Sequence, residues 1–183
     1  MDAATPTFSS PAVFKRAGVG EIAVLLGVAW LVPFAVHLVP WSGDRPLGVY
    51  LLPMFWATFV AVYFYGGRIG LLVGLFAPAV NLLVTGLPAW QMASVMGVEL
   101  AVFALVTGWA VRHRWQWVLL APLGYMVARM ASLAVQAATA DDIGAPGAAW
   151  VNSLIRGFAG LVVLAAVNAA LVWFYPKRDG EEP

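Results

Sequence analysis

The chain lacks cysteine altogether, which excludes disulfides, thiolate nucleophiles and Cys-ligated metals. Charge is nearly as scarce. Only 10% of its 183 residues are charged and 62% are hydrophobic, against about 25% and 45–50% in soluble domains. So apolar a chain has too little polar surface to cover itself in water, and it reads as an integral membrane protein. The two histidines, His37 and His113, have no metal-ligand spacing. There is no HExxH, GxSxG or Walker-lysine motif. The series Gly67-x-x-Gly70-x-x-x-Gly74 is not a nucleotide fingerprint, because no strand precedes it. No catalytic residue, metal or cofactor is therefore expected, and the chain is not expected to be an enzyme or to hydrolyse ATP by itself.

What is present is long apolar runs. A bilayer core of about 30 Å takes about 20 apolar residues of helix. Residues 18–39, 47–65, 69–84, 89–111, 117–138 and 148–175 supply six such runs. The expected fold is thus an all-α six-helix membrane bundle over residues 18–175. A mobile Ser/Thr/Pro-rich tail, 1–17, precedes it and a short tail, 176–183, follows. The first tail is not read as a cleaved signal peptide, since Lys15 and Arg16 come late and the apolar run behind them is too long.

Basic residues set the orientation. If the helices alternate, Lys15, Arg16, Arg68, Arg112, Arg114, Lys177 and Arg178 all fall on one side, and Arg45, Asp44, Asp141 and Asp142 on the other. This asymmetry predicts cytoplasmic termini in a multi-pass inner (cytoplasmic) membrane protein. Tryptophans form matching belts, with Trp41, Trp90 and Trp150 outside and Trp109, Trp115, Trp117 and Trp173 inside. The basic residues read as topology signals, so no nucleic-acid partner is expected.

Small residues recur at i, i+4: Gly66, Gly70 and Gly74 in the third run, Ala23 and Gly27 in the first, Ala165 and Ala169 in the sixth. Such grooves let helices approach closely, either inside the bundle or against another membrane subunit. The first run, being terminal, is the better placed for an outside partner.

Polar groups inside the runs are costly and therefore informative. Glu99, Arg129 and Arg156 are the charges that fall deep within the runs. Asn81 and Thr85, Gln91 and Glu99, Arg129, Ser132 and Gln136, and Asn152 and Arg156 follow helical spacings. Each of the last four helices thus carries a polar stripe rising towards the outer face, a pattern that fits an outward-opening cavity. One acid cannot balance two arginines, and guanidinium groups bind carboxylate and phosphate bidentately. An anionic ligand follows as the expectation, with a structural Glu99–arginine bridge as the alternative. Trp30 and Trp56, near mid-span, are candidates to stack on a planar ligand.

Residues 77–100 read APAVNLLVTGLPAWQMASVMGVEL, with the turn Thr85-Gly86-Leu87-Pro88 between two apolar runs. Together with the preceding Tyr65-Gly66-Gly67-Arg68-Ile69-Gly70, the series Pro78…Asn81-Leu82-Leu83…Thr85-Gly86-Leu87-Pro88…Val98-Glu99-Leu100 resembles the substrate-binding S component of energy-coupling factor (ECF) transporters. The close likeness covers residues 65–108, and the six-span topology extends it over the chain. The resemblance implies a vitamin-like, micronutrient substrate held near the outer face. Its candidate contacts are Asn81, Gln91, Glu99, Arg129, Asn152, Arg156 and Trp90, under a lid made of Thr85, Gly86, Leu87 and Pro88. It further implies a transmembrane T component docking on helix one, where Ala23 and Gly27 stand in for the family's usual Ala-x-x-x-Ala. The resemblance also implies two cytoplasmic ATPase subunits carried by that partner, and the family's transport model, toppling of the whole S component. The alternative is a non-transport membrane scaffold of the cell-shape and cell-envelope machinery.

Overall fold

The computed structural model describes residues 19–43, 47–86, 88–113, 115, 117–139 and 144–176. The expected tails, 1–17 and 176–183, lie outside the described residues apart from Pro176. Among the described residues the chain is all helical. The helices are α1 (Val19–Leu38), α2 (Leu47–Leu51), α3 (Pro53–Tyr65), α4 (Gly67–Thr85), α5 (Trp90–Arg112), α6 (Leu120–Thr139), α7 (Pro146–Arg156) and α8 (Phe158–Phe174). α4 and α5 are long and apolar enough to cross a membrane, and α7 with α8 would make a third span if counted as one broken helix. α6 has 20 residues, but Arg129, Ser132 and Gln136 make it more polar.

Two runs expected to be single helices are broken. The second, 47–65, stops at Leu52. That residue adopts left-handed backbone angles (φ 53°, ψ 43°), and Pro53 starts the next helix. The proline explains the break: its ring disfavours helical geometry in the preceding residue, and it has no N–H to continue the ladder. The sixth run, 148–175, bends by 65° at Gly157. The backbone there keeps its bonds, with Gly157 N–H donating to Ser153 and Leu161 N–H donating to Gly157, both at 2.9 Å. Glycine's poor helix propensity makes it a natural place for the change in direction.

The two breaks lie against each other. A Cβ on Gly160 would stand 2.6 Å from the Tyr50 carbonyl oxygen and 2.8 Å from the Leu51 carbonyl carbon. Only a glycine lets α8 rest on the backbone where α2 gives way to α3.

Glycine also sets the α3–α4–α5 packing. A Cβ on Gly108 would lie 2.6 Å from Gly67 Cα, one on Gly74 3.0 Å from the Leu100 carbonyl oxygen, and one on Gly70 meets the Val62 side chain. The Gly70/Gly74 seam is therefore consumed inside the bundle. The α1 seam is not: Ala23 and Gly27 are exposed, and nothing lies within 4 Å of a Cβ on Gly27.

The core is built on aromatic edges. Phe55 meets Phe103 at 5.1 Å and Tyr125 at 5.0 Å, both near perpendicular, an arrangement the ring quadrupoles favour. Leu72, Leu75, Phe76, Leu83, Val98 and Leu105 point outwards from α4 and α5. This apolar exterior around a small-residue and polar interior is the distribution expected of a protein solvated by lipid.

Candidate functional site

α5 and α6 bring one acid and one base together. Arg129 Nη1 donates to Glu99 Oε2 at 3.3 Å. The Glu99 side chain is 7% exposed and that of Arg129 25%. Glu99 lies about 14 Å along α5 from its start at Trp90 and about 20 Å from its end at Arg112, well away from either terminus. The contact is single and long for a charge-assisted bond. Arg129 Nε is buried and has no hydrogen-bond partner. A guanidinium carries five donors in a fixed fork, so this arginine keeps unused donor capacity in a desolvated place.

The surroundings of the pair are tightly held. Tyr125, one turn before Arg129 on α6, is within electrostatic range of both charges. Its ring stacks edgewise on Phe55, and its hydroxyl approaches Gly157 at the α7–α8 bend, 3.5 Å from the position of a Cβ there. On the other side Ser132 is buried. Gln136 Nε2 donates to its hydroxyl at 3.0 Å and to its carbonyl oxygen at 3.3 Å. The polar stripe expected on α6 thus exists, but its C-terminal half is satisfied within the helix.

The other candidate residues do not join the pair. Asn81 is buried on α4, at the level where Thr85 Oγ1 donates back to its carbonyl oxygen at 2.7 Å. Gln91 and Trp90 are exposed at the start of α5, and Asn152 and Arg156 are exposed on α7, which buries none of its residues. The bend at Gly157 accounts for the last two: it carries α7 off the axis of α8. Of the lid residues, Thr85 ends α4, and Gly86 caps it in left-handed geometry (φ 73°), its N–H donating to Leu82 at 2.8 Å. Pro88 is half-buried, and Leu87 lies outside the described residues. Trp30 stacks on Phe34 at 5.3 Å, and the indole nitrogens of Trp30 and Trp56 are both buried without a partner.

A cleft of about 380 Å³ opens at the opposite end of the bundle, between the start of α1 and the end of α3, lined by Gly20, Val24, Leu25 and Tyr65. It adjoins the exposed α1 seam rather than the Glu99–Arg129 pair.

Three features of the site were not anticipated from the residues: the role of Tyr125, the break at Leu52 and the bend at Gly157. The second had a signal in Pro53. Tyr125 had none beyond its i, i+4 spacing from Arg129.

Compared with known protein families, curated proteins and solved structures, the chain matches none.

Proposed function

We propose that this chain is the membrane-embedded S component of an ECF-type uptake transporter and binds a small anionic organic nutrient. The observation that carries the reading is Arg129: a mid-helix guanidinium, mostly buried, which spends one nitrogen on Glu99 and leaves Nε desolvated and unpartnered. A carboxylate or phosphate would use that capacity bidentately. The likeness of residues 65–108 to the S-component pattern supports the same reading. So does the open Ala23/Gly27 seam on α1, the place where a T component would dock.

On this reading the six spans are α1, α2 with α3, α4, α5, α6, and α7 with α8. The termini are cytoplasmic and the protein sits in the inner membrane. Glu99 positions Arg129 until the nutrient's anionic group competes for it. Asn81, Gln91, Asn152, Arg156 and Trp90 belong to the outer approach, and Thr85, Gly86, Leu87 and Pro88 to the lid. ATP hydrolysis belongs to the two ATPase subunits of the assembly.

The test is ligand-induced thermal stabilisation of purified protein with biotin, pantothenate, niacin and pyridoxine-like compounds, preceded by native mass spectrometry for a co-purified molecule. One compound should stabilise the wild type, Arg129→Lys should weaken the effect and Arg129→Ala should abolish it. Unchanged affinity in Arg129→Ala would refute the role given to Arg129.

One observation favours a second reading, the non-transport scaffold: Glu99 and Arg129 already neutralise each other across α5 and α6. A scaffold would leave every nutrient without effect and co-purify with a protein of the cell-envelope machinery.

A further inference from the structure

At the end of the bundle opposite the lid, α4 begins, α5 ends and the chain turns into α6. The Gly67–Gly108 contact clamps the start of α4 to the last turns of α5. Arg68 follows Gly67, and Arg112 lies one turn beyond Gly108. Both are exposed, and neither has an acidic partner among the described residues.

Beside them stands an aromatic array. Trp109 packs on His113 at 4.4 Å and edgewise on Trp115 at 5.1 Å, and Trp115 stacks on Trp117 at 5.4 Å with the rings 15° apart. All three tryptophans remain about half exposed. The backbone of Trp115 and that of Trp117 are each held by a hydrogen bond. Trp115 N–H donates to Ala110 at 2.9 Å, and the buried Asn168 of α8 donates from Nδ2 to the Trp117 carbonyl oxygen at 2.5 Å. His113 Nδ1 lies 2.8 Å from the Trp109 carbonyl oxygen.

We propose that this surface is a binding site for the headgroup of an anionic phospholipid. Two uncompensated guanidiniums supply the charge complement for its phosphate. Indole rings supply flat amphipathic faces and N–H donors suited to the headgroup and glycerol level. The site fixes the depth of the inner ends of α4, α5 and α6. The proposal rests on the membrane orientation given above, in which this end is cytoplasmic, but not on any nutrient.

The experiment uses the full chain, stripped of lipid in detergent and then offered equimolar phosphatidylglycerol and phosphatidylcholine of the same acyl chains, with retained lipid read by native mass spectrometry. Wild type should keep phosphatidylglycerol in preference. At about a fivefold effect for each basic residue near a headgroup, Arg68→Gln with Arg112→Gln should lower phosphatidylglycerol retention roughly 30-fold and erase the preference. Lysine at both positions should restore most of it. Trp115→Leu with Trp117→Leu should weaken retention of both lipids and leave the preference in place. Equal retention of the two lipids by wild type, or an unaltered preference in the double glutamine variant of unchanged helicity, overturns the proposal. No nutrient is present in the assay, so failure of the transport reading leaves its result intact.

Discussion

Removing Arg129 should harm this protein more than removing Glu99 and Arg129 together. At 3.3 Å and an effective dielectric near 20, the gross attraction of the pair is about 5 kcal/mol. Most of that is offset by the cost of taking both charges out of water. Deleting one partner is different, because it strands the other. Arg129→Met would leave Glu99, 7% exposed, as an uncompensated charge in the bundle, at a cost of about 3–5 kcal/mol. For a chain of this size, 3 kcal/mol corresponds to a fall in Tm of roughly 6–12 °C. Glu99→Leu with Arg129→Met replaces both charges by apolar groups and should lie within about 1 kcal/mol of wild type. The measurement is a double-mutant cycle by thermal and denaturant unfolding in one detergent, without added nutrient. An Arg129→Met protein as stable as wild type, or a double variant as damaged as the sum of the singles, would show that the pair does not exist as a buried unit.

Other consequences follow from particular contacts. Gly108→Leu drives a side chain into the Gly67 backbone, where even a Cβ would sit at 2.6 Å. It should cost at least 3 kcal/mol, about the upper end of overpacking penalties, read as loss of folded protein on denaturant titration. Tyr63→Phe removes the 2.8 Å hydrogen bond to the Tyr175 carbonyl oxygen and should cost about 1 kcal/mol in the same assay. Gly157→Ala restores helix propensity of about 1 kcal/mol at the bend. The chain has no cysteine, so a pair of spin labels on introduced cysteines at Ala148 and Val162 reports the α7–α8 angle directly. The variant should lengthen that distance, and an identical distance distribution would show that packing, rather than glycine, fixes the bend. Gly27→Leu should leave stability within about 0.5 kcal/mol, since nothing lies within 4 Å. It should nonetheless abolish co-purification with a T component; retained co-purification would move the docking face off α1.

The residues announced the helical class and most helix ends to within a few positions, because length and hydropathy decide them and little tertiary context is needed. α4 was expected at 69–84 and spans Gly67–Thr85; α5 was expected at 89–111 and spans Trp90–Arg112. The breaks were harder. Pro33 and Pro78 remain inside α1 and α4, whereas Pro53 follows a break and starts α3. Gly160 allows α8 to hold the Leu51–Leu52 backbone in its broken form, a pairing between residues about a hundred positions apart that no local pattern records. The site shows the same division. Glu99 and Arg129 were legible as costly charges at similar depth. Which of two arginines would meet the acid was not, because it depends on the angle between α7 and α8 at Gly157.

That direction bears on the charge count that first suggested a ligand. With α7 in line with α8, one carboxylate would face two arginines in a common interior, and the excess positive charge would itself call for an anion. The bend takes Arg156 to an exposed position on a helix with no fully buried residue, so among the described residues the interior balance becomes one to one. The case for an anionic ligand then no longer rests on surplus charge. It rests on geometry: a single 3.3 Å contact where a carboxylate and a guanidinium can make two shorter ones, and a buried Nε with no acceptor. A pair evolved only to lock two helices would gain by closing that second bond. An arginine that must release one anion to receive another gains by leaving it open, because each bond made in the empty state is one the incoming ligand has to replace.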